Sequence, residues 1–223
     1  MKSKIFVAVL VFLSLGQAYS TELNDVLPDP YPEVYQNVTV LPFDPHGWYG
    51  HHAVFRKLIR KSRAKVAIEV GSWLGASTRD IAKLLPGNGV VYAVDTWKGS
   101  VEHQPGEPYT HPAIHYLFQQ FLSNVIHEGL QGKIIPVRAA SIEAAERLAQ
   151  LNIKADFIYM DAAHDYNSVY QDLRAWYPFL REGGIFCGDD YTWPGVAQAV
   201  QQFAQENNLH ITADYLWRLV RKN

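Results

Sequence analysis

One stretch, residues 66–78 (VAIEVGSWLGAST), constrains the fold more than any other part of the chain. It starts with an apolar run rich in β-branched residues, which is typical of a parallel strand buried on both faces. Gly71 and Gly75 follow, and glycine lets the backbone turn tightly and come close to a ligand. Ser77 or Thr78 then begins a helix whose free N–H groups face this turn. The stretch predicts an open α/β sheet that binds a ligand at the carboxyl edge of its strands.

The next predicted strand, residues 89–95 (GVVYAVD), indicates the kind of ligand. Asp95 at its tip can accept hydrogen bonds from both hydroxyls of a ribose. Glu69 stands two residues before Gly71, and the glycine spacing is G-x-x-x-G instead of the G-x-G-x-x-G that cradles a pyrophosphate. The pattern therefore favours a cationic, phosphate-free nucleoside such as S-adenosylmethionine, and it disfavours a nicotinamide dehydrogenase with the same fold.

Length and charge narrow the function classes. The chain has 223 residues, which suits one α/β domain and is short for two. Its formal net charge is -2 at pH 7, so nothing in the charge balance favours nucleic acid or an anionic membrane as a partner. The single cysteine, Cys187, cannot form an internal disulfide and lies in a predicted core strand, where a buried, unreactive thiol is expected.

The N-terminal residues 1–20 have the features of a secretory signal peptide. Two lysines precede an apolar run over residues 5–15, and small residues follow at 18–20. The run is short for a membrane span, so we expect an exported protein, periplasmic or secreted, without stable membrane insertion. An uncleaved segment would leave the protein membrane-anchored, and a buried N-terminal helix is a third alternative. Residues 21–46 form a proline-rich segment that wraps the surface or covers the site, and residues 47–223 form the domain.

Two predicted helices come before and after the strand that ends in Asp95. Apolar residues at helical spacing predict a helix over residues 47–63, with His51 and His52 as surface or packing residues. A second helix is predicted over residues 111–128. The segment 98–110 before it has no periodicity and is a candidate lid over the cofactor. The histidines at 103, 111 and 115 do not predict a zinc site, because a proline at 112 marks a helix start and no third ligand is placed.

Carboxylates follow two further predicted strands. Asp161 ends the fourth strand, and Asp189 with Asp190 ends the fifth. In a parallel sheet these ends share an edge with Gly71 and Asp95, so three carboxylates meet beside the proposed cofactor. Buried like charges repel unless a cation neutralises them. The simplest choice is a hard cation bound by oxygen, which is Mg²⁺, with Mn²⁺ or Ca²⁺ as alternatives.

Three other positions near this edge carry expectations. His164 is the side chain in the acidic cluster that is best suited to titrate near neutral pH. Ser141 follows the third predicted strand, where its hydroxyl bonds an adenine edge or caps the next helix, and both roles stay open. Residues 191–193 (YTW) are candidates for the wall of a substrate pocket. Two closing strands, 209–213 and 215–220, are predicted to complete the sheet.

Four ordered motifs carry a family resemblance: residues 69–78 (EVGSWLGAST), 94–97 (VDTW), 161–166 (DAAHDY) and 188–190 (GDD). Together they resemble the class I S-adenosylmethionine-dependent methyltransferases. Within this class, they most resemble the small metal-dependent O-methyltransferases. That group is related to the catechol O-methyltransferases and to the O-methyltransferases that act on macrolide or aminocoumarin sugars. The resemblance runs from about residue 47 to the C-terminus, and the ordered set is far more specific than any one motif.

The resemblance implies a Rossmann-like, doubly wound α/β fold. Its sheet has seven strands, mostly parallel with a C-terminal antiparallel strand, and helices cover both faces. The implied cofactor contacts for S-adenosyl-L-methionine are Glu69, Gly71, Ser72, Gly75, Asp95 and Trp97, with an adenine contact near Ser141. The implied divalent metal, Mg²⁺ first, is held by Asp161, Asp189 and Asp190.

The implied activity is methyl transfer to a hydroxyl of a small molecule or sugar. The metal would bind the acceptor hydroxyl beside Asp161 and lower its pKa, and His164 would accept the proton. The catechol enzymes usually carry asparagine where Asp190 stands and a lysine base where this chain has His164, so the aspartate triad is closer to the sugar-modifying relatives. Two alternatives keep the fold without turnover: a nucleoside-binding protein and a secreted interaction module. A homodimer is also left open.

Overall fold

A seven-stranded sheet forms the centre of the computed structural model, which describes residues 33–221. Its strands are β1 (Val66–Val70), β2 (Val90–Asp95), β3 (Ile134–Arg138), β4 (Ala155–Met160), β5 (Leu180–Gly188), β6 (Leu209–Ala213) and β7 (Trp217–Arg221). The strand order is β3-β2-β1-β4-β5-β7-β6. Strands β1 to β5 run parallel, whereas β7 is antiparallel to β5 and β6. The predicted fold class is therefore confirmed, including the closing hairpin.

Helices cover both faces of the sheet. They are α1 (His52–Ser62), α2 (Ala76–Leu84), α3 (Leu117–His127), α4 (Ser141–Ala149), α5 (Tyr166–Trp176) and α6 (Pro194–Glu206), with 3₁₀ turns at Val101–His103, Pro112–His115 and Tyr177–Phe179. The buried side chains form two cores, one with α1 to α3 and one with α4 to α6. Strand β1 contributes Ala67 to the first core and Ile68 and Val70 to the second. This two-sided burial explains its continuous apolar sequence.

The predicted signal peptide, residues 1–20, lies outside the described residues, as does the first part of the proline-rich segment. Within residues 33–221, none of the helices is long and apolar enough to cross a membrane. Cys187 is fully buried on β5, and its thiol donates to the carbonyl of Ile158 at 3.5 Å, as expected for a core cysteine.

Two helix predictions were wrong at their N-terminal ends. The helix predicted from residue 47 begins at His52, and Trp48 is 54% exposed instead of facing the core. Gly47 and Gly50 in the intervening stretch disfavour helix. The helix predicted over 111–128 is divided at Tyr116, whose φ of -140° and ψ of 28° separate a 3₁₀ turn from α3.

Residues 39–44, which we call the strap, lie along α3 and are held there by polar side chains. The amide of Gln119 donates to the carbonyl of Thr39 at 2.7 Å, and Ser123 Oγ accepts from the backbone N–H of Leu41 at 3.0 Å. Asn124, fully buried, donates to the carbonyls of both Asp44 and Leu74, at 2.8 and 2.9 Å. The strap is thereby joined to the loop that follows β1.

The carboxyl edge of the sheet places the site. The parallel ladder continues one residue past each strand: Gly71 N–H donates to Val94 O at 2.9 Å, Asp161 N–H to Val70 O at 2.8 Å, and Asp189 N–H to Met160 O at 3.1 Å. Backbone hydrogen bonds thus arrange the first residues after β1, β4 and β5 in one row. Side chains that are far apart in sequence reach the same cleft as a result.

Candidate active site

A cleft of about 940 Å³ opens along this carboxyl edge. Its walls are the turn after β1, the ends of β2, β4 and β5, the start of α4 and α5, and the predicted lid segment around the 3₁₀ turn Val101–His103. A volume of this size is typical of a site for small molecules and lies at the switch point of the strand order, where open α/β sheets bind ligands.

The glycine turn approaches the neighbouring strand too closely for any side chain. Gly71 has φ of +94°, and a Cβ there would lie 1.9 Å from the carbonyl oxygen of Asp161. Gly75 has φ of +79° at the N-cap of α2, and a Cβ would lie 2.9 Å from the ring of Phe121. Gly71 lines the cleft, whereas Gly75 faces the core beneath it.

Glu69 lies under the turn instead of in the cleft lining. It is fully buried on β1, and its Oε2 accepts from Ser72 Oγ at 2.9 Å and from the hydroxyl of Thr78. Its Oε1 has no hydrogen-bond partner among the described residues. Burial raises the pKa of Glu69 to about 7 against the opposing effect of the hydroxyl donors. The predicted start of the helix is also shifted: α2 begins at Ala76 without a side-chain cap, and Thr78 binds Glu69 instead.

Asp95 holds the turn by accepting backbone hydrogen bonds. Its Oδ2 accepts from Ser72 N at 3.0 Å and Trp73 N at 2.9 Å, and its Oδ1 accepts from Trp97 N at 2.7 Å. Burial raises its pKa, although these amides act in the opposite direction. Asp95 and Ser72 both line the cleft. Trp97, in contrast, is 3% exposed, packs in the core, and donates from Nε1 to Trp73 O at 2.8 Å.

Ser141 lines the cleft at the start of α4, but its hydroxyl is engaged. It donates to Oδ1 of Asp172 and accepts from Nε1 of Trp176 at 2.8 Å. Asp172 also lines the cleft, and burial raises its pKa to about 6. Asp172 was not among the predicted site residues. Its position on an amphipathic helix offered no signal that the carboxylate turns toward the strand ends.

Asp161, Asp189 and Asp190 meet in the cleft with two supporting side chains. Tyr159 donates from its hydroxyl to Asp161 Oδ2 at 3.0 Å and to Asp189 Oδ2 at 3.4 Å. His51 Nε2 donates to the same oxygen of Asp189 at 2.6 Å. Burial and then the charges of the two other aspartates raise the pKa of Asp161 well above its ordinary value. Burial would raise the pKa of Asp189 too, but the His51 hydrogen bond and other donors leave it lowered.

His164 stands between two carboxylates. Its Nε2 lies 3.0 Å from Asp190 Oδ2, its Nδ1 lies 3.4 Å from Glu102 Oε1, and its ring stacks on Trp193 at 4.5 Å. The hydrogen bond to Asp190 raises the pKa of His164, in opposition to burial. Carboxylates beside both ring nitrogens therefore strengthen the neutral imidazole of His164 as a proton acceptor at this point of the cleft.

Two of these residues show where sequence reasoning fell short. His51 packs against the rings of Tyr49 and Phe55, as predicted, but it also donates to Asp189 from the N-cap of α1, a contact that the sequence did not predict. No sequence signal connects positions so far apart. Tyr159 was missed although a signal existed, since residues two apart on a strand share a face and Asp161 was already singled out.

Within residues 33–221, no group of three His, Cys, Asp or Glu side chains has an arrangement that could hold a metal ion as it stands. The three aspartates instead share their hydrogen bonds with His51, Tyr159 and His164. The histidines at 46, 103 and 111 belong to a cluster of aromatic rings with Trp48 and Trp73.

Comparison with known families identifies the class of this fold and site. A family model described as "Methyltransferase domain" matches residues 68–191, more than half of the chain. The chain therefore belongs to the methyltransferase domain family. Its class is that of the S-adenosylmethionine-dependent methyltransferases.

Solved structures share the fold over almost the whole chain. The O-methyltransferase from Bacillus cereus, in complex with SAH, has a TM-score of 0.58 and 17% identity, covering 92% of this chain and 97% of that one. A Klebsiella pneumoniae protein assigned as an O-methyltransferase has a TM-score of 0.59 and 18% identity, covering 94% of this chain and 97% of that one. A Staphylococcus aureus protein assigned as a caffeoyl-CoA O-methyltransferase has a TM-score of 0.57 and 13% identity, covering 92% of this chain and 98% of that one. No curated protein sequence matches the chain.

Proposed function

We propose that this protein transfers a methyl group from S-adenosylmethionine to a hydroxyl oxygen of a small molecule or sugar, with assistance from a divalent metal. The observation that carries the proposal is the arrangement of one cleft: the glycine turn and Asp95 occupy one part of it, and three aspartates occupy the adjoining part. The O-methyltransferase from Bacillus cereus, which shares the fold, was solved in complex with SAH.

The residues of the turn fit the cofactor. The close approach at Gly71 brings bare backbone to the cleft surface, so a ligand can lie directly against the strand ends. Ser72 and Asp95 line the same surface. Because Asp95 already accepts three backbone hydrogen bonds, two of them on Oδ2, a ribose hydroxyl would bind at the lone pair that remains on Oδ1. Asp172, through the oxygen that does not bind Ser141, offers an acceptor for the adenine amino group.

The donor chemistry of the aspartates fits a hard cation. Burial, and then the neighbouring charges of Asp189 and Asp190, raise the pKa of Asp161, so a bound cation would stabilise its ionised carboxylate. All three donors are carboxylate oxygens, the ligand type that Mg²⁺ and Mn²⁺ prefer. Bound there, the metal would act as a Lewis acid on the acceptor hydroxyl.

The chain's own groups would then orient the acceptor and hold its proton. His164 is the proposed base, because it lines the cleft between Asp190 and Glu102 and stacks on Trp193. Trp193 and the segment around Val101–His103 would exclude water from the reacting oxygen. Export by residues 1–20 and assembly as a homodimer belong to the same proposal.

The experiment is calorimetric titration of the mature protein with S-adenosylmethionine, with Mg²⁺ and then with a chelator, followed by turnover on a panel of hydroxylated acceptors. Asp95→Asn tests the part of the cleft proposed to bind the cofactor, and Asp189→Asn tests the part proposed to bind the metal. We expect the first variant to weaken cofactor binding and the second to lose Mg²⁺-dependent turnover while still binding the cofactor. Turnover that is unchanged by chelation would contradict the metal, and no cofactor binding at all would contradict the enzyme.

A further inference from the structure

The predicted lid, residues 98–110, is hydrogen-bonded mainly to itself. The side-chain amide of Gln104 donates to the carbonyls of Lys98 and Ser100, at 3.1 and 3.0 Å. From residue 99 onward, every hydrogen bond that the structure describes for the lid stays within it. Side-chain contacts, and not backbone hydrogen bonds, therefore hold the lid over the cleft.

Histidine and tryptophan rings make most of these contacts. The ring of His103, in the lid, lies 4.5 Å from that of Trp73 in the glycine turn and 5.5 Å from that of Trp48. The ring of His111, directly after the lid, lies 4.2 Å from that of His46, which follows the strap. The three histidines thus join the lid to the turn and to the strap, and all three are partly buried.

Each of the three histidines accepts a hydrogen bond at Nδ1. The donors are Trp73 Nε1 to His46 at 3.4 Å, Ser100 N to His103 at 3.1 Å, and Ala113 N to His111 at 3.1 Å. A ring nitrogen accepts only while it carries no proton, so each imidazole is neutral with its proton on Nε2. Protonation would remove all three acceptors and place positive charge on two rings that lie 4.2 Å apart.

His46 and His111 face each other and one carboxylate, that of Asp44. Asp44 Oδ1 accepts from the backbone N–H of His46 at 3.0 Å, and its Oδ2 lies 3.6 Å from Nε2 of His111. Burial and then the charge of His111 lower the pKa of His46, whereas Asp44 raises it. The lowering effects are the larger, so the neutral form of His46 is favoured while the rings are in contact.

His103 faces two carboxylates and two further histidines. Burial lowers its pKa, Glu102 opposes this, and smaller effects follow from His164, Asp95 and His46. The closed lid therefore binds fewer protons than an open lid, whose histidines would titrate near their ordinary value of 6.5. Closure is favoured above this pH and is progressively lost as the pH falls below it.

We propose that His46, His103 and His111 form a latch, which holds the lid closed over the cleft at neutral pH and releases it when the histidines are protonated at acidic pH. Residues 99–103 of the lid line the cleft, so its release widens the entrance. The latch acts on access to the cleft whatever ligand binds there. It therefore goes beyond the proposed methyl transfer and does not depend on it.

Hydrogen exchange followed by mass spectrometry tests the latch in the ligand-free protein. Exchange in residues 98–113 is measured at about pH 7.5 and about pH 5.5 and is expressed as protection relative to the intrinsic rate at each pH, with strand β1 as the internal reference. Opening that takes up one proton changes by at most about tenfold per pH unit, so we expect protection of this segment to fall about three- to tenfold. Protection of β1 should not change.

Asparagine variants make the test specific, because asparagine keeps an acceptor close to the position of Nδ1 but does not titrate. The triple variant His46→Asn, His103→Asn and His111→Asn should show nearly equal protection at the two pH values. His115→Asn, at an exposed position of the neighbouring 3₁₀ turn, is the control and should keep the fall of the unchanged protein. If the triple variant does not fold, each single variant should reduce the fall.

Three results would overturn the inference. They are protection of the lid that does not fall in the unchanged protein, an undiminished fall in the asparagine variants, and an equal fall in β1, which would show general loss of structure. Carbon-13 NMR of the histidine rings at neutral pH gives an independent check that needs no change in pH. A proton on Nδ1 of any of the three histidines, instead of on Nε2, would also contradict the latch.

Discussion

The imidazole of His51 donates to Asp189 Oδ2 at 2.6 Å across a separation of 138 positions in the chain. His51 is the N-cap of α1, and Asp189 is the first residue after β5. The contact therefore connects the helix before the first strand to the acidic cluster at the end of the fifth. The next residue, His52, lies at the same distance from a carboxylate, that of Asp80, but outside the cleft.

This pair of histidines provides a matched test. Because Asp189 is a metal ligand in the proposed function, His51→Gln should lower turnover about 10- to 100-fold, as is typical when a residue that orients such a carboxylate is lost. His52→Gln should leave turnover close to that of the unchanged protein, because Asp80 does not line the cleft. Initial rates at saturating cofactor measure both. Equal losses in the two variants would show that α1 as a whole, and not the contact to Asp189, supports activity.

Gly71→Ala should disrupt the turn. The added Cβ would meet the carbonyl of Asp161 at 1.9 Å, and φ of +94° is strained for alanine. We expect a loss of about 1–3 kcal/mol in the free energy of unfolding, together with loss of cofactor binding. Denaturant unfolding and calorimetry measure the two effects. Gly87→Ala is the control, since a Cβ there meets nothing within 4 Å. A variant with native affinity for the cofactor would contradict the close approach.

The pKa of Glu69 predicts a pH dependence of stability. Burial raises the pKa from 4.5 to about 7, so the folded protein binds more protons than the unfolded chain between these values. The contribution of Glu69 to the free energy of unfolding is therefore full below pH 4.5 and is lost as pH rises toward 7. The total loss is about 3 kcal/mol. Other buried acids titrate in the same range, so the difference between the unchanged protein and Glu69→Gln isolates the effect.

We expect Glu69→Gln to gain stability relative to the unchanged protein as pH rises from 5 to 8, measured by urea unfolding at each pH. Glutamine keeps an oxygen that can accept from Ser72 and Thr78. A difference that does not change with pH would show that Glu69 stays ionised throughout.

Ser141→Ala distinguishes a structural from a ligand-binding hydroxyl. The substitution leaves Nε1 of the fully buried Trp176 without its acceptor and Asp172 without its donor, which should cost about 1–3 kcal/mol of stability even without ligand. Thr212→Ala, an exposed hydroxyl on β6, serves as the control. If thermal unfolding of the ligand-free protein is unchanged in Ser141→Ala, the hydroxyl acts on the ligand alone.

Asn124→Leu should release the strap. It removes the amide that joins Asp44 and Leu74, at a fully buried position. The expected result is faster proteolytic cleavage within residues 39–46 and a loss of about 2–3 kcal/mol. Gln119→Ala removes one exposed tether to Thr39 and should have a much smaller effect. Cleavage rates that match in the two variants would show that the strap is held by packing instead.

Much of the fold follows from local patterns. The apolar strand of residues 66–70, the glycine turn and the closing strands at 209–213 and 217–221 were readable because strand burial and turn chemistry leave short-range signals. The helix ends were less readable. Gly47 and Gly50 disfavour helix around Trp48, and the backbone of Tyr116 leaves helical geometry, although the apolar periodicity runs through both positions.

Some residues of the candidate site were likewise predictable from the sequence, and others were not. Asp95, Asp161, Asp189 and Asp190 were identified from sequence because parallel strands end at a common edge, which is a rule of topology. Only the tertiary structure decided which side chains support them. His51 reaches Asp189, Asp172 takes the hydroxyl of Ser141, and Trp97 turns into the core, because each side chain's direction depends on packing between elements distant in sequence. The sequence by itself determined the class of fold and the acidic edge, while long-range packing determined the shape and charge of the cleft.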